Sequence, residues 1–258
     1  MELEAVGKME TPYLTKFGVP RQSELASSAV CALVVGSSAP EAKTLRSALP
    51  GSRLWVVWGF SKNEARAGTR FSPTVRPPRL GGERRVGVFA TRSSFRPNSL
   101  ALSSLQVTSM PEVSEEAVRA CVTGADMADG SPVYAVFPYA AKSDCHERAA
   151  SGWTAEEKWQ PLEVAPVPAR LMDNVPEEQR EGLLEALSLD PRPAYTRESQ
   201  PDREFWFPYA GTVVFFHVRD GLLSVANIAT LPDEDEAEIR ETGTLRVEEL
   251  ERLSSLKA

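Results

Sequence analysis

Leu54-Trp55-Val56-Val57-Trp58-Gly59-Phe60 is an unbroken run of seven apolar residues, entered from Arg53 and left at Ser61. A membrane helix needs roughly 20 such residues. Bulky aromatic and β-branched side chains dominate this run, so it predicts a buried strand. Working outward, Ala29–Val35, Val86–Ala90, Leu100–Val107, Ala117–Thr123 and Val133–Phe137 are of the same kind, short, apolar or alternating, and bounded by Gly, Pro and Asp. Only Glu41–Leu49 among them has helical spacing, with Ala42, Leu45, Ala48 and Leu49 on one face. A doubly wound sheet would require a helix between successive strands. The pattern therefore predicts a closed, largely antiparallel β-barrel.

Beyond it the character changes. Lys142–Pro168 loses periodicity and gathers Ser, Glu, Lys and prolines, which marks a long connection. Glu177–Leu187 reads as a helix opened by Asn174 and Pro176, with Leu183, Leu184 and Leu187 as its buried stripe. Strands follow around Glu204–Phe207, Thr212–Val218 and Leu222–Ile228, the last two joined by an Asp220-Gly221 turn. The expected fold class is mainly β, α+β overall, a small β-barrel followed by a smaller α+β unit. Its expected division is a barrel over 1–142, a connecting segment over 143–170, a C-terminal unit over 171–230 and an acidic tail over 231–258. From Asp233 to Arg252 that tail holds nine acidic residues against three arginines, and Leu245–Leu253 could form a terminal helix.

Composition and motifs exclude several chemistries. The 258 residues are 42% hydrophobic and 25% charged, as in a soluble globular protein. Met1-Glu2-Leu3-Glu4 has no apolar core of a secretory signal. Cys31, Cys121 and Cys145 are odd in number and far apart, so no disulfide framework is expected and a reduced, cytoplasmic setting is. His146 and His217 are the two histidines, too few for a zinc site or a histidine-dependent hydrolase. No two glycines stand two apart and no Gly-Lys-Ser/Thr occurs, which removes the dinucleotide fingerprint and the P-loop. Catalysis, if present, must rest on Arg, Asp, Glu, Tyr, backbone groups or a reactive cofactor.

Charge is concentrated. The chain is net −7, yet residues 62–96 carry nine basic side chains against Glu64 and Glu83, a net of +7, leaving −14 for the rest. Eight of those nine cations are arginine, which pairs with phosphate or carboxylate in a bidentate way. In Pro73-Thr-Val-Arg-Pro-Pro-Arg-Leu-Gly-Gly82 the prolines stiffen the backbone that presents Arg76 and Arg79. A solvated loop and a preorganised anion-binding surface both fit this segment.

That segment, with Val86-Gly-Val-Phe-Ala-Thr-Arg-Ser-Ser-Phe-Arg-Pro-Asn98, closely resembles the TsaA-like family of TrmO tRNA methyltransferases. Val19-Pro-Arg-Gln22, Asp129-Gly-Ser-Pro132 and Asp190-Pro-Arg-Pro-Ala-Tyr195 support the resemblance, which runs from about residue 5 to residue 228. It implies a β-barrel methyltransferase, usually a homodimer, that binds S-adenosyl-L-methionine without a nucleotide-type fold. The implied activity is methylation of N6 of N6-threonylcarbamoyladenosine at tRNA position 37, beside the anticodon. The implied cofactor contacts are Pro20, Arg21, Gln22, Ser61, Lys62, Arg92, Leu102, Asp129, Gly130, Ser131 and Pro132. The candidate tRNA contacts come from the residues themselves: Arg76, Arg79, Arg84, Arg85 and Arg96 of the charged segment, Arg192 by pairing with phosphate or carboxylate and Tyr195 by stacking on the base, with no metal and no membrane expected. The chain departs from the family at Ser61-Lys62, where His-Gln is common, and at Ala135, Phe137 and Gly211.

The cofactor carries the hard chemistry, so the protein must align acceptor and methyl and dispose of a proton. Asp126, Asp129 and Tyr134 are the candidate acceptors for that proton, beside water and the substrate's own carboxylate. Two other functions fit the same residues: a non-catalytic RNA-binding or regulatory module, and a methyltransferase for a small molecule. Cofactor binding without methyl transfer to tRNA would mark the first, and transfer insensitive to salt and to RNA the second.

Overall fold

The computed structural model describes residues 3–60, 72–77, 84–156, 160–193, 196 and 203–256. Its first part contains strands β1 (Gly7–Glu10), β2 (Cys31–Gly36), β3 (Arg53–Gly59), β4 (Thr74–Val75), β5 (Val86–Gly87), β6 (Leu100–Val107), β7 (Glu112–Val113), β8 (Ala117–Thr123) and β9 (Pro132–Pro138). Helix α1 (Pro40–Leu45) lies between β2 and β3. Seven strands form one sheet in the order β2-β1-β9-β3-β6-β8-β7, and β2 also pairs with β8, so the antiparallel pairing returns to its start. Period-two burial explains why the sheet holds: Leu54, Val56 and Trp58 of β3, Leu105 and Val107 of β6 and Val118, Ala120 and Val122 of β8 all turn to one core, with Met9, Leu33, Met127 and Val133.

Three expectations require correction. The strand expected at Val86–Ala90 stops after two residues, and Val88–Ala90 is a tight helical turn closed by the Thr91 N–H and hydroxyl on the Val88 carbonyl. That turn leaves Phe89 80% exposed. Helix α1 ends four residues early, because beyond Leu45 the backbone bonds shorten to three-residue spacing and the Thr44 and Ser47 hydroxyls take the Glu41 and Thr44 carbonyls. Leu184, expected in a buried stripe, faces solvent.

The second part comprises α2 (Ala141–Asp144), β10 (Glu163–Val164), α3 (Ala169–Met172), α4 (Arg180–Ser188), β11 (Phe205–Tyr209), β12 (Thr212–Arg219), β13 (Leu222–Thr230), α5 (Asp233–Thr242) and α6 (Val247–Ser255). Its sheet runs β10-β13-β12-β11, with β10 parallel to β13 and the other pairs antiparallel. Alternation again sorts the faces. Val214, Phe216 and Ile228 pack with Leu183 and Leu187 of α4, while Val213, Phe215 and Ala229 pack with Ile239 of α5, Leu253 of α6 and Leu245 between them. The acidic tail is thus two helices on a sheet, and one of its acids, Asp235, is buried and paired with Arg252 of α6.

The stretch between β1 and β2 joins the two parts. Tyr13 and Ala29 are fully buried in the second core, where Tyr13 meets Tyr209 edge-on at 5.6 Å. Glu185 of α4 accepts bonds from the Ser28 amide (2.8 Å) and hydroxyl (2.9 Å). A Cβ on Gly182 would lie 2.6 Å from the Ala29 Cα, so α4 can approach this closely only with glycine there.

Candidate active site

The joining stretch leads to the site. From Thr11 to Glu24 the chain runs beside the loop that connects β8 to β9: Gly130 N–H donates to Met9, Asp129 N–H to Tyr13, Thr11 Oγ1 to Met127, and Glu24 N–H to Gly124. Pro20, Arg21 and Gln22 are carried on this stretch, with Pro20 buried, Gln22 half-buried and Arg21 exposed. Ser23, the next residue, aims its N–H at the carboxylate of Asp126.

Asp126 is the focus of a polar cluster inside an apolar sheet. Ser103 of β6 is fully buried and donates its hydroxyl to Asp126 Oδ1, while Trp58 of β3 donates Nε1–H to the Ser103 oxygen at 2.9 Å. An indole nitrogen can only donate, and a serine hydroxyl has one proton. With Asp126 ionised and able only to accept, the chain runs from Trp58 through Ser103 to Asp126. Burial pushes the Asp126 carboxyl up to about 6, against the lowering effects of the Ser103 hydroxyl, its own and the Ser23 backbone N–H groups, and the charge of Arg92. Arg92 is exposed, in the loop after the Val88–Ala90 turn. Leu102 is 46% exposed on the outer side of β6, next to Ser103. Of the expected cofactor residues, Arg92 reaches this carboxylate through its charge and Pro20–Gln22 precede Ser23 in the chain, while Leu102 faces the opposite side of β6 from Ser103.

The far end of the same loop is built differently. Asp129 Oδ1 accepts the Thr11 N–H at 2.9 Å, and its other oxygen pairs with Arg240 of α5. Gly130 has φ +75 and turns the chain, Ser131 is buried with its hydroxyl on the Ala128 carbonyl, and Pro132 opens β9. Tyr134 lies on β9 against Gly59, where a Cβ would meet its ring at 2.8 Å.

The remaining expected residues scatter. Arg76, Arg84 and Arg85 are exposed on the β4–β5 hairpin, and Arg85 is braced by its Nε–H on Thr74 Oγ1 at 2.8 Å. Arg96 binds the Thr91 and Ser93 carbonyls, which folds its guanidinium back onto its own loop. Arg192 is buried and bound to Asp190 through two bonds of 2.8 and 3.1 Å, with the Phe205 ring 5.9 Å away. That pair forms a rigid internal clamp in the Asp-Pro-Arg-Pro turn. Ser61, Lys62, Arg79 and Tyr195 lie outside the described residues.

Ser103, Trp58, Ser23 and Arg240 were not expected from the sequence. The signal for Ser103 is its phase, since it shares parity with Leu105 and Val107 and so faces the core as a polar residue needing a partner. Among the described residues, no three His, Cys, Asp or Glu side chains are grouped to hold a metal ion, and no helix is long and apolar enough to cross a membrane.

Residues 8–145, more than half of the chain, match the family model of the tRNA-methyltransferase O N-terminal domain. The chain belongs to the tRNA-methyltransferase O family. A family relative from Eikenella corrodens, named tRNA (adenine(37)-N6)-methyltransferase, is 38% identical over 171 residues, 66% of this chain and 93% of its own length. Another of that name, from Escherichia coli K12, is 32% identical over 209 residues, 79% of this chain and 87% of its own. The crystal structure of TrmO from Pseudomonas aeruginosa shares the fold with a TM-score of 0.66 at 21% identity, over 89% of this chain and 98% of that one. Both the Asp126 cluster and the Asp129 loop fall inside the matched family domain. Arg240 falls outside it.

Proposed function

We infer that this protein methylates N6 of adenosine 37 in tRNA. The observation that carries the inference is membership of the family together with relatives of that name matched over most of their length. We extend it to S-adenosyl-L-methionine as the methyl donor, N6-threonylcarbamoyladenosine as the substrate base, and a cytoplasmic homodimer as the working form.

The residues around Asp126 suit that cofactor by their chemistry. Arg92 offers a guanidinium for a carboxylate, Leu102 an uncovered apolar surface for a flat base, and Pro20–Gln22 backbone groups for the polar edges. When bound, the cofactor supplies an electrophilic methyl group on a sulfonium. Ser61 and Lys62 would complete its site from the segment after β3. Asp129 contributes by shaping the loop, since both of its oxygens already hold donors. On this reading the closed circuit of strand pairing is a β-barrel over 1–142 that holds the cofactor, and the unit over 171–230 helps to seat the RNA. The exposed Arg76, Arg84 and Arg85 are suited to phosphates of the anticodon arm.

The test is a transfer assay with labelled S-adenosylmethionine and tRNA, with and without the threonylcarbamoyl group, followed by nucleoside analysis. Label in N6-methylated threonylcarbamoyladenosine is the expected result. Cofactor binding with no label in any tRNA would overturn the reading. Replacing Arg84 and Arg85 by Glu should lower the salt slope of tRNA binding by roughly 0.7 to 0.9 per lost phosphate contact. An unchanged slope would assign the hairpin to solvent.

A further inference from the structure

Methylating N6 leaves one proton to be removed, and the activity inferred above does not itself assign the group that removes it. Three side chains stand near enough by sequence to be considered, and their surroundings separate them. Asp129 has one oxygen on the Thr11 amide and the other on Arg240. Tyr134 packs against Gly59 of β3. Asp126 is held by uncharged donors, Ser103 on Oδ1 and the backbone N–H groups of Ser23 and of itself, and feels Arg92 through its charge.

We propose that Asp126 is the catalytic proton acceptor of the methyl transfer, and that Trp58 and Ser103 are positioning residues that hold its carboxylate with Oδ2 toward the substrate. This rests on the reading of the protein as a tRNA adenine-N6 methyltransferase. The atoms balance as follows. The N6 electron pair forms the new N–C bond, the S–C bond breaks with its pair retained on sulfur, and the N6 proton passes to Asp126 Oδ2 and afterwards to water.

The direction of the hydrogen bonds makes this acceptor one-sided. An ionised carboxylate can only accept, so the single hydroxyl proton of Ser103 points at Oδ1 while Trp58 donates to the Ser103 oxygen. A proton arriving on Asp126 therefore resides on Oδ2. A base must also be ionised at working pH while still holding its proton well enough to take it. A carboxyl lifted by burial to about 6 meets both conditions near neutrality, which one at the usual value of about 4 does not. The charged groups around it are Arg92 from its loop, which draws the value down, and the Glu24–Arg53 pair (2.6 Å), whose Glu24 adjoins Ser23 and whose Arg53 reaches Ser104 Oγ at 3.3 Å.

The experiment compares wild type, Asp126→Asn and Ser103→Ala in single-turnover methyl transfer across pH 5 to 9, with S-adenosylmethionine binding measured by calorimetry and the Asp carboxyl signals followed by NMR. Wild type should show an acidic limb near 6, matched by one carboxyl titrating there. Asp126→Asn should bind the cofactor within about twofold of wild type, yet lose about a hundredfold or more of the transfer rate, within the usual range for a general base, together with the limb. Ser103→Ala removes a bond to the ionised form, so its limb should move to higher pH, a shift that a merely structural serine would not produce. The proposal is overturned if Asp126→Asn keeps more than a tenth of the rate, if the limb persists in it, or if Ser103→Ala leaves the limb in place. Failure of wild type itself to transfer methyl to tRNA would instead overturn the functional reading.

Discussion

The two ends of the loop between β8 and β9 each present an aspartate, three residues apart, and the protein treats them in opposite ways. At the Asp126 end the donors are uncharged, Ser103 backed by Trp58 and the backbone N–H groups of Ser23 and of Asp126 itself. At the Asp129 end the donors come from two distant segments, Thr11 and Arg240, and leave neither oxygen idle. Residue type does not distinguish a reactive carboxylate from a structural one. The distinction lies in what the neighbours take up, and those neighbours are 23 and 111 residues away in the chain.

Four substitutions or measurements test that contrast, beginning with the largest effect. Asp129→Ala should destabilise the protein by about 2 to 3 kcal/mol, because it strands the Thr11 amide and the Arg240 guanidinium at once. Denaturant unfolding is the measurement, and a loss below about 0.5 kcal/mol would mean that this end is not the structural one. Asp126→Asn should behave in the opposite sense. The folded carboxyl is raised to about 6 from an ordinary 3.8, so the stability it contributes is fully present below pH 3.8 and fades as pH climbs to about 6. Above pH 6 the asparagine variant should be as stable as wild type or more so, and the fall in Tm between pH 4 and 6 should flatten in it.

Smaller effects follow. Arg240 is half-exposed and also holds Glu236, so Arg240→Ala should cost about 1 kcal/mol, with Arg240→Lys recovering part of it. Equal unfolding curves for all three proteins would dissolve the link between the tail and the Asp129 loop. The smallest effect is expected from Arg92→Ala in the pH profile. Arg92 draws the Asp126 carboxyl downward, so its loss should move the acidic limb to higher pH. The same variant should weaken cofactor binding by about 1.5 to 3 kcal/mol, the worth of a charged hydrogen bond.

The strands of the first sheet were legible because burial imposes a period of two, and β3, β6, β8 and β9 lie close to their apolar runs. Elements set by a few specific bonds were not. The turn at Val88–Ala90 depends on Thr91, whose hydroxyl caps it, and the apolar composition of that stretch reads equally well as strand. In the tail, the acidic side chains mask a spacing of Ile239, Leu245 and Leu253 that gains meaning only against the sheet face of Val213, Phe215 and Ala229. Around the site, motif alone singles out Pro20–Gln22, Arg92 and Leu102, and the sequence offers Asp126 as one of three candidate proton carriers without separating it from Asp129 and Tyr134. Arg192 was read as a hand for the substrate, and it is instead closed on Asp190. Its motif marks a rigid turn, and sequence alone does not reveal whether a guanidinium points outward.

The first strand of the chain and its partners are separated by time as well as by sequence. Gly7–Glu10 leaves the ribosome early, yet its neighbour β9 begins at Pro132, and Tyr13 packs against Tyr209. At roughly 5 to 20 residues per second, β1 waits on the order of ten seconds for one partner and Tyr13 still longer for the other. Neither core can close during most of the chain's synthesis. The same stretch that carries Pro20, Arg21 and Gln22 is therefore the one the nascent chain must keep out of wrong pairings longest.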